Sequence, residues 1–226
     1  LQERLFAESR GGGTRSVLLV IQGMDTSGKG GIMRHVVGAV DPQGVQITSF
    51  KAPSAEEKRH PFLWRIRRAL PRPGLIGVFN RSHYEDVLVP VINGWIGPDE
   101  TQRRYAQIND FERMLSETGT VVCKFLLYIS KEEQRLRLQD RLDDPTKRWK
   151  FALGDLEVRK QWDAYAKAYA DAIAATGTPW APWTIVPADS KTHRNLMIAS
   201  ALKATLGGLK LRYPPGSPEL ARMRVE

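Results

Sequence analysis

Ser16-Val17-Leu18-Leu19-Val20-Ile21-Gln22, followed at once by Gly23-Met24-Asp25-Thr26-Ser27-Gly28-Lys29-Gly30, is the stretch that decides the fold. Its first seven residues are mostly apolar and rich in β-branched side chains, as expected of a short strand buried on both faces. Gly30-Gly31-Ile32-Met33-Arg34-His35-Val36-Val37 then opens a helix. Between them, Gly-x-x-x-x-Gly-Lys sits at a strand-to-helix turn, where free N–H groups and the positive end of a helix surround an anion. An ordinary Gly-rich turn would leave Lys29 and Asp25 without a role. This is a phosphate-binding loop, with Gly23, Met24, Thr26, Ser27, Gly28 and Gly30 as its expected cradle and Lys29 on the phosphates. Gly30 stands where a Ser or Thr hydroxyl usually ligates Mg²⁺. Asp25, inside the loop, is the first candidate to hold the metal instead.

Further strand-like runs follow at 45–50, 75–79, 121–128 and 183–187. Helical patterns separate most of them, so the chain reads as βα units around a parallel sheet with helices on both faces. Segment 99–117 carries Tyr105, Ile108, Phe111 and Leu115 at helical spacing, and 155–175 carries Leu156, Trp162, Tyr165, Tyr169 and Ile173. Both stripes read as core. Ligands of such sheets bind at the carboxyl ends of the strands, which directs attention to the ends of the first and third.

Composition bounds the partners. The 226 residues suit one domain, and a hydrophobic content of 42% excludes wholesale disorder. No apolar run is long enough to span a bilayer, and no signal peptide precedes the first strand, so a cytoplasmic protein without a membrane partner is expected. The single cysteine, Cys123, lies in an apolar run and reads as core. A net charge of +9 calls for an anionic partner. Lys58, Arg59, Arg65, Arg67, Arg68 and Arg72 follow Glu57 with no acid among them, and Arg65, Arg67 and Arg68 are expected to guide a polyanion. A second basic group, Arg135 to Lys150, is interleaved with acids and much of it reads as helix surface pairing. No interleaved aromatic and basic stacking pattern and no recognition helix stands out, which argues against nucleic acid.

The third strand runs into Asn80-Arg81-Ser82-His83-Tyr84-Glu85-Asp86. Arg81 can grip phosphate oxygens with a planar fork of donors. Glu85 and Asp86 could hold Mg²⁺, or could simply favour the start of a helix. His83 reads as structural rather than as a base. Asp144-Pro145-Thr146-Lys147-Arg148-Trp149-Lys150-Phe151 lies between two helices, within a segment of about 143–155. Its cations Lys147, Arg148 and Lys150 suit a lid closing over transferring phosphates.

With these three constellations, the chain resembles the polyphosphate kinase 2 family over nearly its whole length. The most specific parts are Gly23–Gly31, Val45–Pro53, Phe79–Val89, Leu142–Phe151 and Gly154-Asp155-Leu156. The form Asn80–Leu88 resembles the branch called class III, associated with phosphorylating both AMP and ADP from polyphosphate. The other main branch commonly carries Asn at the Glu85 position and favours nucleoside diphosphates. The resemblance implies a single three-layer αβα P-loop kinase domain over 1–226, with a mostly parallel sheet of about five strands and a helical lid. It also implies Asp25 in the Mg²⁺ and catalytic apparatus, with Mn²⁺ as an alternative ion, and assembly as a homodimer or homotetramer.

The expected chemistry is reversible in-line transfer of the terminal phosphoryl group of polyphosphate to AMP or ADP, forming ADP or ATP. A phosphate nucleophile is already ionised near neutral pH, so alignment and charge neutralisation matter more than a base. Lys29 and Arg81 would grip the phosphates, Asp25 and Asp86 would hold Mg²⁺, and Asn80, Glu85 and Lys51 would serve the nucleotide and the polyanion. An ADP-specific polyphosphate kinase, an ATP-dependent nucleoside or nucleotide kinase, and a basic nucleic-acid-binding P-loop protein are the alternatives.

Overall fold

A computed structural model of the chain describes residues 1–220 and 223–225. Among them, five parallel strands make one sheet in the order β2-β3-β1-β4-β5, with β1 Ser16–Gln22, β2 Val45–Ser49, β3 Ile76–Asn80, β4 Thr120–Tyr128 and β5 Trp183–Pro187. All five expected strands are present, with ends shifted by a single residue at most. β1 sits at the centre and every residue of it is buried, which is why that run tolerates no polar alternation.

Successive β1 side chains point to opposite faces. Val17, Leu19 and Ile21 pack with helices α1 (Gln2–Arg10), α2 (Lys29–His35) and α9 (Lys191–Gly208). Leu18 and Val20 pack with α3 (Leu63–Arg68), α4 (Glu85–Ile92), α5 (Pro98–Glu117) and α8 (Trp162–Thr176). Each such aliphatic side chain, withdrawn from water, contributes about 1.5–3 kcal/mol. A charge introduced at Leu19 would have no partner on either face. The expected three layers are therefore present.

The expected stripe on α5 is core: Tyr105, Ile108, Phe111 and Leu115 are all buried. The 155–175 helix is instead two, α7 (Leu153–Lys160) and α8, separated at Gln161. None of α7's residues is buried, and Leu156 is exposed. Arg159 ties α7 to helix α6 (Lys131–Asp143) through Lys131 O and Gln134 Oε1, so α7 packs with α6 rather than with the sheet. Two of the buried charges fix the polar end of the second face. Lys124 of β4 donates to Glu112 Oε2 at 2.6 Å, Tyr84 Oη and Thr176 O, while Tyr84 and His83 contact the other oxygen of Glu112. This network pins the His83-Tyr84 turn to α5 and β4. It makes His83 a structural residue, as its sequence context suggests. No helix among the described residues is long and apolar enough to cross a membrane.

Candidate active site

Parallel registry brings the ends of the central strands level: Ile21 pairs with Asn80 on one side and with Phe125 on the other. The loop after β1 and the segment after β3 therefore emerge side by side. Thr26 and Gly28 adopt left-handed backbone, with φ of 63° and 103°. Gly28 does so without a Cβ penalty, while Thr26 is held there by its surroundings.

Those surroundings are side chains that grip the loop's carbonyls. Lys29 Nζ donates to Gly23 O and, at 3.1 Å, to Met24 O. Gln134 Nε2 donates to Asp25 O at 3.2 Å, Arg137 Nη1 to Thr26 O at 2.9 Å, and Arg194 Nη1 to Ser27 O at 3.1 Å. With successive carbonyls turned toward donors from α6 and α9, the intervening N–H groups are left for an anion.

Arg81 faces the loop from just beyond the end of β3. It too has left-handed backbone, φ 62°, and its N–H donates to Ile21 O. That conformation costs about 1–2 kcal/mol in a residue with a Cβ. It aims the guanidinium so that Nη2 lies 2.9 Å from Asp25 Oδ1 and Nη1 3.8 Å from Glu85 Oε2. Gln22, buried at the end of β1, satisfies its amide by donating to Glu85 Oε1 and accepting from Ser82, each at about 3 Å. Burial raises the Glu85 carboxyl above its ordinary range against the opposing pull of Arg81 and Lys29. Burial likewise lowers Lys29 to about 8, opposed by Asp25 and helped by Arg81.

Two cavities meet at Arg81. One, about 560 Å³, lies over the loop and is lined by Asp25, Lys29, Arg34, Asn80, Arg81, Arg141, Trp149 and Lys150. Its cations far outnumber its single carboxylate. The other, about 690 Å³, is bounded by Phe50, Lys51, Phe62, Arg81, Glu85, Val89, Pro90 and Trp95. It is more apolar and carries aromatic rings.

Most predicted site residues converge here, but three sets do not behave as expected. Asp86 was expected to share a metal with Asp25; both its oxygens instead accept from Arg65 Nη2, at 3.0 and 2.8 Å. Arg65 was expected to guide a polyanion with Arg67 and Arg68. Its side chain is only 6% exposed and also donates to Lys51 O, whereas Arg67 and Arg68 are exposed, with Arg67 against Met114 and Arg68 over Trp64. Arg67 projects from nearly the opposite side of the helix to Arg65, and Arg65 is taken up by Asp86, so the three form no common track. Of the three cations expected in a lid, Lys150 reaches the loop cleft, while Lys147 is paired with Asp140 and Asp144 and Arg148 donates to Leu142 O.

Gln134, Arg137, Arg141 and Arg194 brace or line the site without belonging to any sequence motif. Arg137 is hidden in the interleaved charges of α6 that resemble surface pairing. Arg135 is such a pair, with Glu132 at the surface. The other residues act across chain separations that no local pattern encodes.

The polyphosphate kinase 2 family model matches residues 2–212. The chain belongs to the polyphosphate kinase 2 family. An AMP/ADP-polyphosphate phosphotransferase of Meiothermus ruber is 47% identical over 225 residues, covering all of this chain and 82% of that protein. An ADP-polyphosphate phosphotransferase of Rhodopseudomonas palustris is 43% identical over 242 residues with the same coverage. The crystal structure of a polyphosphate kinase 2 from Arthrobacter aurescens TC1 superposes with a TM-score of 0.94 at 53% identity, over 96% of this chain and 76% of that one. As a member of this family the chain is a polyphosphate-dependent nucleotide kinase on the P-loop αβα scaffold.

Proposed function

We propose that this kinase moves the terminal phosphoryl group of polyphosphate onto AMP and onto ADP, reversibly. The observation that carries the reading is the meeting of two unlike cavities at Arg81. The cation-rich one over the P-loop suits a polyanionic donor, since a chain of phosphates needs dispersed positive charge and no base pocket. The aromatic one, with Lys51 at its edge, suits a nucleotide, whose base needs apolar surface and whose phosphates need a cation. The AMP/ADP range is supported by Glu85, which lines the aromatic cavity beside Arg81, and by the name of the Meiothermus relative.

Phosphoryl transfer of this kind is catalysed by positioning and by charge neutralisation. The P-loop N–H groups orient the donor's terminal phosphates. Lys29, released from the carbonyls of Gly23 and Met24, follows them. Arg81, reachable from both cavities, grips the oxygens of the group in flight, and its strained backbone fixes that position beforehand. Lys150 and Arg141 cover the donor and exclude water, with Lys147 and Arg148 joining if the lid closes further. The acceptor's phosphate oxygen attacks as the anion it already is, so no residue need take a proton.

Mg²⁺, or Mn²⁺ in its place, fits the donor set as a phosphate-held ion. Among the described residues no three His, Cys, Asp or Glu side chains converge. A kinase Mg²⁺ takes one or two carboxylates and completes its octahedron with phosphates and waters. Asp25 would hold it, with Glu85 nearer at hand than the Arg65-bound Asp86, and the ion would screen charge between donor and acceptor. A homodimer or homotetramer working in the cytoplasm, without nucleic acid or membrane as partner, completes the proposal. Replacing Asp25 with Asn or Lys29 with Ala should abolish transfer while leaving the circular dichroism spectrum and melting temperature nearly unchanged. Full activity in Asp25→Asn would remove Asp25 from the metal site.

A further inference from the structure

Arg65, Lys124 and Arg194 are the buried cations among the described residues. Arg65 has the carboxylate of Asp86 and Lys124 that of Glu112. Arg194, 3% exposed, has none within 4 Å among the described residues. Its donors reach Ser27 O at 3.1 Å and Asn195 Oδ1 at 2.9 and 3.2 Å, all neutral oxygens. Arg137, which grips the adjacent Thr26 carbonyl, is by contrast paired with Glu133 at 2.8 Å. A buried charge without a counter-ion is costly, and a fold that keeps one must recover that cost elsewhere.

The loop is shaped around this guanidinium. A Cβ at Gly28 would stand 1.7 Å from Arg194 Nη1, and one at Gly31 would stand 2.6 Å from Nη2. At Gly30 a Cβ would meet nothing within 4 Å. Glycine at 28 and 31 thus makes room for Arg194 directly beneath the turn, while glycine at 30 is not demanded by packing.

We propose that Arg194 is a positioning residue whose counter-charge is the phosphate bound on the other side of the loop. It holds the Ser27 peptide so that the loop's N–H groups face outward, and its unpaired positive charge adds to the field at that face. At 3% exposure the guanidinium is poorly solvated, so its charge is weakly screened across the loop. The inference rests on the phosphate-binding reading of the loop.

The test is titration calorimetry of the full chain with inorganic tripolyphosphate at fixed ionic strength, alongside thermal melts of the free protein. Arg194→Met, which replaces the charge with an apolar side chain of similar length, should raise the tripolyphosphate Kd roughly tenfold or more. It should leave the melting temperature of the free protein unchanged or higher, because it removes an uncompensated buried charge. Arg194→Lys keeps a charge and a donor for Ser27 O and should bind within about threefold of the unsubstituted protein. A purely structural arginine would behave in the opposite way. Arg194→Met would then melt lower or fail to fold, or would bind tripolyphosphate as well as the unsubstituted chain, and any of these overturns the proposal. So does Arg194→Lys binding as weakly as Arg194→Met. If the unsubstituted protein binds no tripolyphosphate, the phosphate-binding reading fails with it; if it binds and Arg194→Met binds equally, the inference alone fails.

Discussion

Replacing Arg65 with Met separates two roles for a residue that sequence alone casts as a polyphosphate guide. Its side chain is 6% exposed, and the Asp86 side chain it grips is 10% exposed. Removing the guanidinium strands a carboxylate at the start of α4 and takes a donor from Lys51 O. Breaking one side of such a pair costs about 3–5 kcal/mol, because the remaining charge is left unpaired in a poor solvent. For a chain of this size, each kcal/mol lowers Tm by about 2–4 °C, so a loss of roughly 6–20 °C is expected. The deficit should also depend on pH. Burial already raises the Asp86 carboxyl and Arg65 opposes it, so without Arg65 the group rises further. A carboxyl with a raised folded pKa binds more protons folded than unfolded, so stability falls as pH rises from the ordinary aspartate value, near 3.8, through the folded value. The variant should therefore lose more stability at pH 8 than at pH 5, relative to the parent, in urea melts followed by circular dichroism. Arg65→Met/Asp86→Leu should recover much of the loss. A change in melting of under 2 °C combined with weaker polyphosphate binding would refute this reasoning and return Arg65 to the guiding role.

Two further outcomes follow from the loop. Lys29 has a pKa of about 8 in the free protein, and phosphates at Nζ would raise it. Binding then takes up a proton above pH 8, so tripolyphosphate affinity should fall as pH rises toward 10, by at most about tenfold per pH unit. Lys29→Ala should flatten that slope in calorimetry; an identical slope in both proteins would assign the titration to another group. Gly30→Ser should leave the fold intact and raise Tm by roughly 1–2 °C, since Ser is the better helix former and the position is open. Gly28→Ala should do the reverse, because its φ of 103° and the guanidinium of Arg194 both exclude a Cβ. Equal melting temperatures for the two variants would contradict the packing described beneath the loop.

The fold was legible because its signals are local. β1 is an uninterrupted apolar run because it is buried on both faces, and the Gly-rich turn marks where it meets a helix. The α5 stripe was read correctly because its period matches the face it buries. The 155–175 stripe holds over α8, where Trp162, Tyr165, Tyr169 and Ile173 pack against the core, and fails only at Leu156, because α7 leaves the sheet. At the site, Asp25, Lys29, Arg81 and Glu85 are all brought within one locality, as their motifs suggest. What was not legible is pairing across the fold. Arg65 and Asp86 each look like ligands of something external until the sheet brings α3 beside α4 and they bind each other. Arg194 follows a Ser-capped helix start with no motif of its own, and only the return of α9 to the P-loop gives it meaning.

The most direct test is a product time course with long-chain polyphosphate and Mg²⁺, run separately with AMP and with ADP, and repeated with ATP as donor in place of polyphosphate. Polyphosphate should convert AMP to ADP and then to ATP, and ADP to ATP. Phosphorylation of AMP by ATP alone, with polyphosphate inert as donor, would contradict the proposed function.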